Sequence, residues 1–227
     1  MSGRPSLLFD LDGTLTETDH LHFEAMAETL AEQGVSIDWE IYAARILGGA
    51  NADIAAEFLP HLPRAEGLAI MSDKEARFRR RVGELTRAAG LTELLAAAQA
   101  AGLACAVVSN APRANAELML AALGLSDRFE AIVLGDELPR GKPDPLPYRV
   151  ALETLGADAA RSVAFEDSLS GIRAAVGAGV ATIGVGNSAA PAAMREAGVA
   201  LAARDFTDPA LLRLVSARTG LSLGVEA

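Results

Sequence analysis

The chain has 227 residues, 51% hydrophobic, 22% charged and 4% aromatic, with a formal net charge of -10 at pH 7. That length suits a core domain carrying an insertion, and the composition is that of a packed globular protein rather than a disordered or fibrous one. The negative charge argues against DNA, RNA or an anionic membrane surface as partners, since each needs a clustered positive field.

The only lysines are Lys74 and Lys142, so each is a candidate for meeting a local anion. The single cysteine, Cys105, cannot form an internal disulfide, which fits a reducing compartment, so the cytoplasm is the expected location. Met1 to Pro5 holds no apolar signal region, and no run approaches the roughly 20 apolar residues of a membrane-spanning helix. No membrane anchor is expected.

In chain order, the apolar run Leu7 to Phe9 reads as a buried strand. From about Asp19 to Arg87 helical patterns follow one another without a strand: His22 to Gln33, Asp38 to Leu47, Asp53 to Leu59 and Ala69 to Ala88. Gly34, Gly48 with Gly49, and Pro60 to Pro63 punctuate them as turns. The reading is an inserted all-helical domain over residues 19–87. Within it Arg77, Arg79, Arg80 and Arg81 point several ways around a helix and read as a solvated face.

Beyond the insertion, apolar runs at Ala104 to Val108, Ala131 to Leu134, Ser162 to Phe165 and Ala181 to Val185 read as strands. Amphipathic stretches at Thr92 to Ala101, Asn115 to Leu123, Pro147 to Leu155 and Gly171 to Ala178 read as the helices that alternate with them. Strand alternating with helix makes right-handed crossovers and a parallel sheet covered on both faces. The expected fold class is α/β, a doubly wound, Rossmann-like parallel sheet in residues 1–18 and 88–227. Gly184-Val185-Gly186, with Asp205 about 20 residues on, has the interval of a dinucleotide fingerprint, but too little chain follows to complete such a fold. These glycines read as a turn after the fifth strand.

Chemistry gathers at the strand ends. Asp10-Leu11-Asp12-Gly13-Thr14-Leu15 follows the first strand, Ser109-Asn110 ends the second, Gly141-Lys142-Pro143-Asp144 follows the third, and Glu166-Asp167-Ser168 ends the fourth. Ligands in open α/β sheets collect at that edge, and Gly13 permits a sharp turn with free backbone amides. Each piece alone could be a turn or a helix cap. Together they bring acid, hydroxyl and amine to one edge. The acids would repel one another and an anion unless a hard divalent cation held them, and oxygen ligands favour Mg²⁺.

These motifs, in this order, resemble those of the haloacid dehalogenase-like hydrolase superfamily, with room after the first strand for the helical cap that one branch inserts. The resemblance spans nearly the whole chain and points to the phosphoglycolate phosphatase and β-phosphoglucomutase-like members. It implies that Asp10 attacks phosphorus, and that Asp12 protonates the leaving alkoxide and then activates water. It further implies Mg²⁺ held by Asp10, the backbone carbonyl of Asp12 and Asp167, with Glu166 close by. Ser109, Asn110 and Lys142 would bind the phosphoryl oxygens. The implied partner is a small phosphorylated metabolite, with His22, Gly49 and Asn51, beside Gly48, as candidates for substrate selection from the cap.

A dehalogenase needs no second acid, so Asp12 speaks against that activity. A sugar phosphomutase is the nearer alternative, because Thr18, His22 and Phe23 resemble its first cap helix. Such mutases carry basic residues in a cap loop that here reads Leu47-Gly48-Gly49-Ala50-Asn51, and Thr14 also departs from their pattern. A phospho-receiver module would share the acids and the lysine, but it is shorter and has no cap. The expectation is therefore a phosphatase acting on a small phosphate monoester such as phosphoglycolate or a sugar phosphate.

Overall fold

β1 (Ser6–Phe9) is a four-residue strand buried along its whole length, as expected of a strand covered on both faces. It pairs in parallel with β2 (Ala104–Ser109) on one side and β4 (Val163–Glu166) on the other, setting Phe9 opposite Val107 and Phe165. β3 (Ala131–Leu134) lies beyond β2, and β5 (Ala181–Val185) and β6 (Leu201–Ala203) lie beyond β4. The sheet order is β3-β2-β1-β4-β5-β6, all parallel. The structure, a computed structural model, describes residues 3–83, 85–186 and 188–224.

Strand side chains alternate between faces, and two apolar layers result. Leu7, Phe9, Val107 and Phe165 enter one, against α5 (Leu91–Ala100), α6 (Arg113–Ala122) and α10 (Pro209–Thr219). There Phe165 lies 4.8 Å from the ring of Phe9 and 5.2 Å from that of Phe206. Leu8, Ala106 and Ala164 enter the other layer, against α7 (Leu146–Leu155) and α8 (Leu169–Gly177). Its many alanines let those helices lie close to the sheet. α9 (Pro191–Glu196) joins β5 to β6.

The insertion holds α1 (Asp19–Ala31), α2 (Trp39–Arg45), α3 (Asn51–Phe58) and α4 (Arg64–Arg81). Met26, Leu30, Tyr42, Ile54, Phe58 and Met71 form an apolar cluster of their own, separate from the two sheet layers. The secondary structure of this insertion, the cap, is helical throughout among the described residues. No helix among the described residues is long and apolar enough to cross a membrane.

Three details differ from the sequence reading. α4 stops at Arg81 rather than Ala88, because Val82 turns extended before Gly83, and Ala88 N–H then bonds the Leu15 carbonyl at 2.9 Å. The arginine run is not simply a solvated face: Arg77 pairs with Glu32 and Arg81 with Glu28, tying α4 to α1, while Arg79 reaches Asn115 of the core. β6 is additional; its segment Ala200-Leu201-Ala202-Ala203 has no β-branched residue, so parallel pairing with β5 decides its conformation. Gly186, at φ +87°, turns the chain after β5, and the Asp205 carboxylate accepts a hydrogen bond from the Thr207 N–H, as a local turn.

The stacked phenylalanines give a stability prediction. Phe165→Ala should cost about 3–5 kcal/mol, lowering the melting temperature by roughly 10 °C for a chain this long. Leu68→Ala, at a residue 37% exposed, should cost no more than about 0.5 kcal/mol. Equal shifts in thermal melts would remove the aromatic stack from its central place.

Candidate active site

β1 lies at the centre of the sheet, where the chain reverses from building toward β3 to building toward β6, the place where α/β sheets open a crevice at their carboxyl edge. Asp10 stands there directly after β1. Lys142, 2% exposed, donates from Nζ to Asp10 Oδ1 at 2.6 Å and to Glu166 Oε1 at 2.5 Å. The Tyr148 hydroxyl donates to the same Glu166 oxygen at 2.6 Å. Asp167 completes the group: Asp10, Glu166 and Asp167 bring carboxylate oxygens within 4.8 Å of one another, all three side chains buried.

Two glycines make this crowding possible. A Cβ on Gly171 would strike the Glu166 carboxylate, and one on Gly13, which turns at φ +74°, would strike that of Asp167. The charges do not balance. Burial pushes the Asp10 carboxyl up to about 8, Lys142 pulls against it, and Glu166 adds to the rise. Burial and then the Asp10 charge drive Asp167 well above the usual carboxylate range. Burial works against the Lys142 ammonium, yet Asp10 and Glu166 raise it above an ordinary lysine. One ammonium faces three carboxylates in a dry site, so the cluster needs more positive charge. Its hard oxygen donors, with no nitrogen or sulfur among them, fit a small divalent cation.

Asp12 is held differently. Its Oδ1 accepts from the Thr18 hydroxyl at 2.8 Å and lies 2.9 Å from His22 Nε2. Lys74 Nζ lies 2.9 Å from His22 Nδ1 and donates to Glu75 Oε1 at 3.0 Å. An ammonium can only donate, so Nδ1 accepts from it and Nε2–H donates to Asp12. Burial alone would raise the Asp12 carboxyl, but His22, Thr18 and Lys74 bring it below its ordinary value. Two carboxylates two residues apart thus have opposite environments.

Ser109 and Asn110 line the same cavity. Ser109 Oγ accepts from the Ala111 N–H at 3.0 Å, which leaves its hydrogen free to donate. The Asn110 side chain is engaged with backbone: Oδ1 accepts from Lys142 N–H at 2.9 Å, and Nδ2 donates to the carbonyls of Lys142 and Gly48. It fixes the lysine loop and touches the cap. Gly49 and Asn51 line the cavity, although Asn51 Nδ2 donates to Glu75 Oε1 at 3.0 Å.

A family model described as haloacid dehalogenase-like hydrolase matches residues 7–185. The chain belongs to this family. This hydrolase is 38% identical over 192 residues to protein CbbY of Cereibacter sphaeroides, covering 78% of this chain and 82% of that protein. It is 32% identical over 209 residues to validoxylamine A 7'-phosphate phosphatase of Streptomyces hygroscopicus subsp. limoneus, covering 88% and 93%. A crystal structure of CbbY from Rhodobacter sphaeroides, in complex with xylulose-(1,5)bisphosphate, superposes with a TM-score of 0.78 at 33% identity, over 90% of this chain and 96% of that one.

The hydrolase site also contains residues that strand-end motifs do not reveal. Asp19, Tyr42, Lys74 and Glu75 line the cavity from the cap. Asn115, fully buried on α6, joins core to cap: Nδ2 donates to Glu75 Oε2 at 2.6 Å and Oδ1 accepts from Arg79 at 2.8 Å. The rarity of lysine was the one signal pointing to this network. Asn115→Ala, which removes the donor to Glu75 Oε2 and the acceptor for Arg79, should lower stability by about 1–3 kcal/mol. Asn115→Asp, which sets a second carboxylate against Glu75, should be worse at neutral pH. Denaturant unfolding showing both variants unchanged would contradict the bridge.

Proposed function

We propose that this hydrolase removes a phosphoryl group from a small phosphorylated metabolite of sugar-phosphate or phosphoglycolate type, by way of a phosphoryl group carried on Asp10. The observation that carries the reading is the buried cluster of Asp10, Glu166 and Asp167 around Lys142 at the carboxyl edge of the sheet. A relative named validoxylamine A 7'-phosphate phosphatase and one crystallised with xylulose-(1,5)bisphosphate support it.

Asp10 attacks phosphorus in line, displacing the alkoxide. Asp12, a separate carboxyl whose partners favour its ionised form, takes up a proton as substrate enters, gives it to that alkoxide and then takes one from the water that hydrolyses the aspartyl phosphate. The proton on His22 Nε2 keeps the Asp12 carboxyl oriented between Thr18 and the substrate. Lys142 and the Ser109 hydroxyl meet the phosphoryl oxygens as charge builds there. Asp10, Asp167 and the backbone carbonyl of Asp12 would hold Mg²⁺, with Glu166 supporting the site and binding Lys142. When bound, the ion supplies the positive charge that the acidic cluster lacks. The cap loop Gly48-Gly49-Ala50-Asn51, free of Lys and Arg, favours hydrolysis over a mutase that must grip a second phosphate.

Asp10→Asn should abolish phosphate release from a panel of phosphorylated metabolites while the protein stays folded. Asp12→Ala should lower the rate by about 10²–10⁴-fold, the usual contribution of a general acid–base group. EDTA should stop turnover, and added Mg²⁺ should restore it. Undiminished release by the Asp10→Asn variant would overturn the mechanism; turnover indifferent to EDTA would remove the metal from it.

A further inference from the structure

The cavity between core and cap has a volume of about 90 Å³. Among the described residues that line it, the lysines are Lys74 and Lys142, and there is no arginine. Both lysines are already engaged. Lys142 sits between Asp10 and Glu166. Lys74, 5% exposed, donates to His22 and to Glu75, and Glu75 is fixed in place by Asn51 on Oε1 and Asn115 on Oε2. An anion that approached the Lys74 ammonium would meet the Glu75 carboxylate beside it.

Asp19 and Tyr42 are the groups left over. Asp19, in the first turn of α1, is 6% exposed and accepts no hydrogen bond of ordinary geometry from any described residue. Ser188 comes near, but its hydroxyl has no partner at bonding geometry. Tyr42, on α2, is 4% exposed and faces the same charges, with Asp19 the strongest of the acids acting on its phenol. An acceptor and a donor therefore line the cap side of the cavity in a field that is negative.

We propose that the leaving-group end of the site recognises an uncharged, hydroxyl-bearing alcohol, with Asp19 accepting from a substrate hydroxyl and Tyr42 donating to one, and that it rejects leaving groups carrying a second anion. This rests on the hydrolase reading above and narrows it to the sugar-phosphate type, since the leaving group of phosphoglycolate carries a carboxylate. A carboxylate or second phosphate would lie against Asp19 and Glu75 with no uncommitted lysine or arginine among the described lining residues to compensate, whereas a hydroxyl would satisfy the buried Asp19. A site built to bond a hydroxyl discriminates strongly against a ligand that lacks it, because its own polar groups are left unpaired.

The test uses the Mg²⁺-loaded enzyme and a size-matched pair of esters: 2-hydroxyethyl phosphate, whose leaving group is neutral, and 2-phosphoglycolate, whose leaving group carries a carboxylate. The kcat/KM for the first should exceed that for the second by about tenfold or more, the order expected for one close charge pair. Asp19→Asn should lower kcat/KM for the neutral ester and raise it for phosphoglycolate, bringing the ratio to about threefold or less. Glu75→Gln, which releases Lys74, should also raise phosphoglycolate turnover. Equal or preferred turnover of phosphoglycolate by the unmodified enzyme would overturn the proposal, as would parallel losses on both esters in both variants, the mark of a purely structural role. Failure to release phosphate from either ester, and also from p-nitrophenyl phosphate, would overturn the hydrolase reading itself.

Discussion

The Lys142 ammonium lies against Asp10 and Glu166 with almost no access to water, and Asp167 stands within reach of both acids. Burying charge is unfavourable unless partners compensate it, and here one cation answers three carboxylates. The deficit explains much of the surrounding structure. Gly13 and Gly171 are required because the carboxylates occupy the volume a side chain would take. Tyr148 donates to Glu166 from α7, and Asn110 clamps the backbone of Lys142 on both sides. A site with surplus negative charge, rigidly held, is prepared for a cation, and with that charge compensated it can receive phosphoryl oxygens.

The second organising element is the hydrogen-bonded chain that leaves the core and returns to it. It runs from Asn115 on α6 through Glu75, Lys74 and His22 of the cap to Asp12 after β1. Its first link, Asn115 to Glu75, and its last, His22 to Asp12, cross between core and cap, so the orientation of Asp12 depends on where the cap sits. This gives physical content to the idea that a cap over an active site excludes water and completes the catalytic arrangement together. The same chain commits Lys74 to Glu75, which leaves Asp19 and Tyr42 to face whatever alcohol departs.

The sheet and its catalytic edge were legible because their signals are local. A parallel strand buried on both faces is a short apolar run, and the acid that follows it lands in the buried cluster at the carboxyl edge, as with Asp10 after Phe9 and Asp167 after β4. β6 was not legible, since its alanine-rich segment has no strand character until β5 pairs with it. The cap side of the site was only partly legible for a related reason. His22, Lys74 and Asn115 come from three elements spaced far along the chain, and each taken alone reads as an ordinary residue on an amphipathic helix. Lys74 stood out only because lysine is so scarce.

The central claim is that phosphorus is carried by Asp10. Mixing enzyme, Mg²⁺ and a rapidly turned-over phosphate ester, quenching in acid, and reducing with borohydride would convert an aspartyl phosphate into homoserine at the modified position. The account predicts homoserine at residue 10, formed only with substrate present. An unmodified Asp10 beside a phosphorylated or reduced residue elsewhere in the site would contradict it.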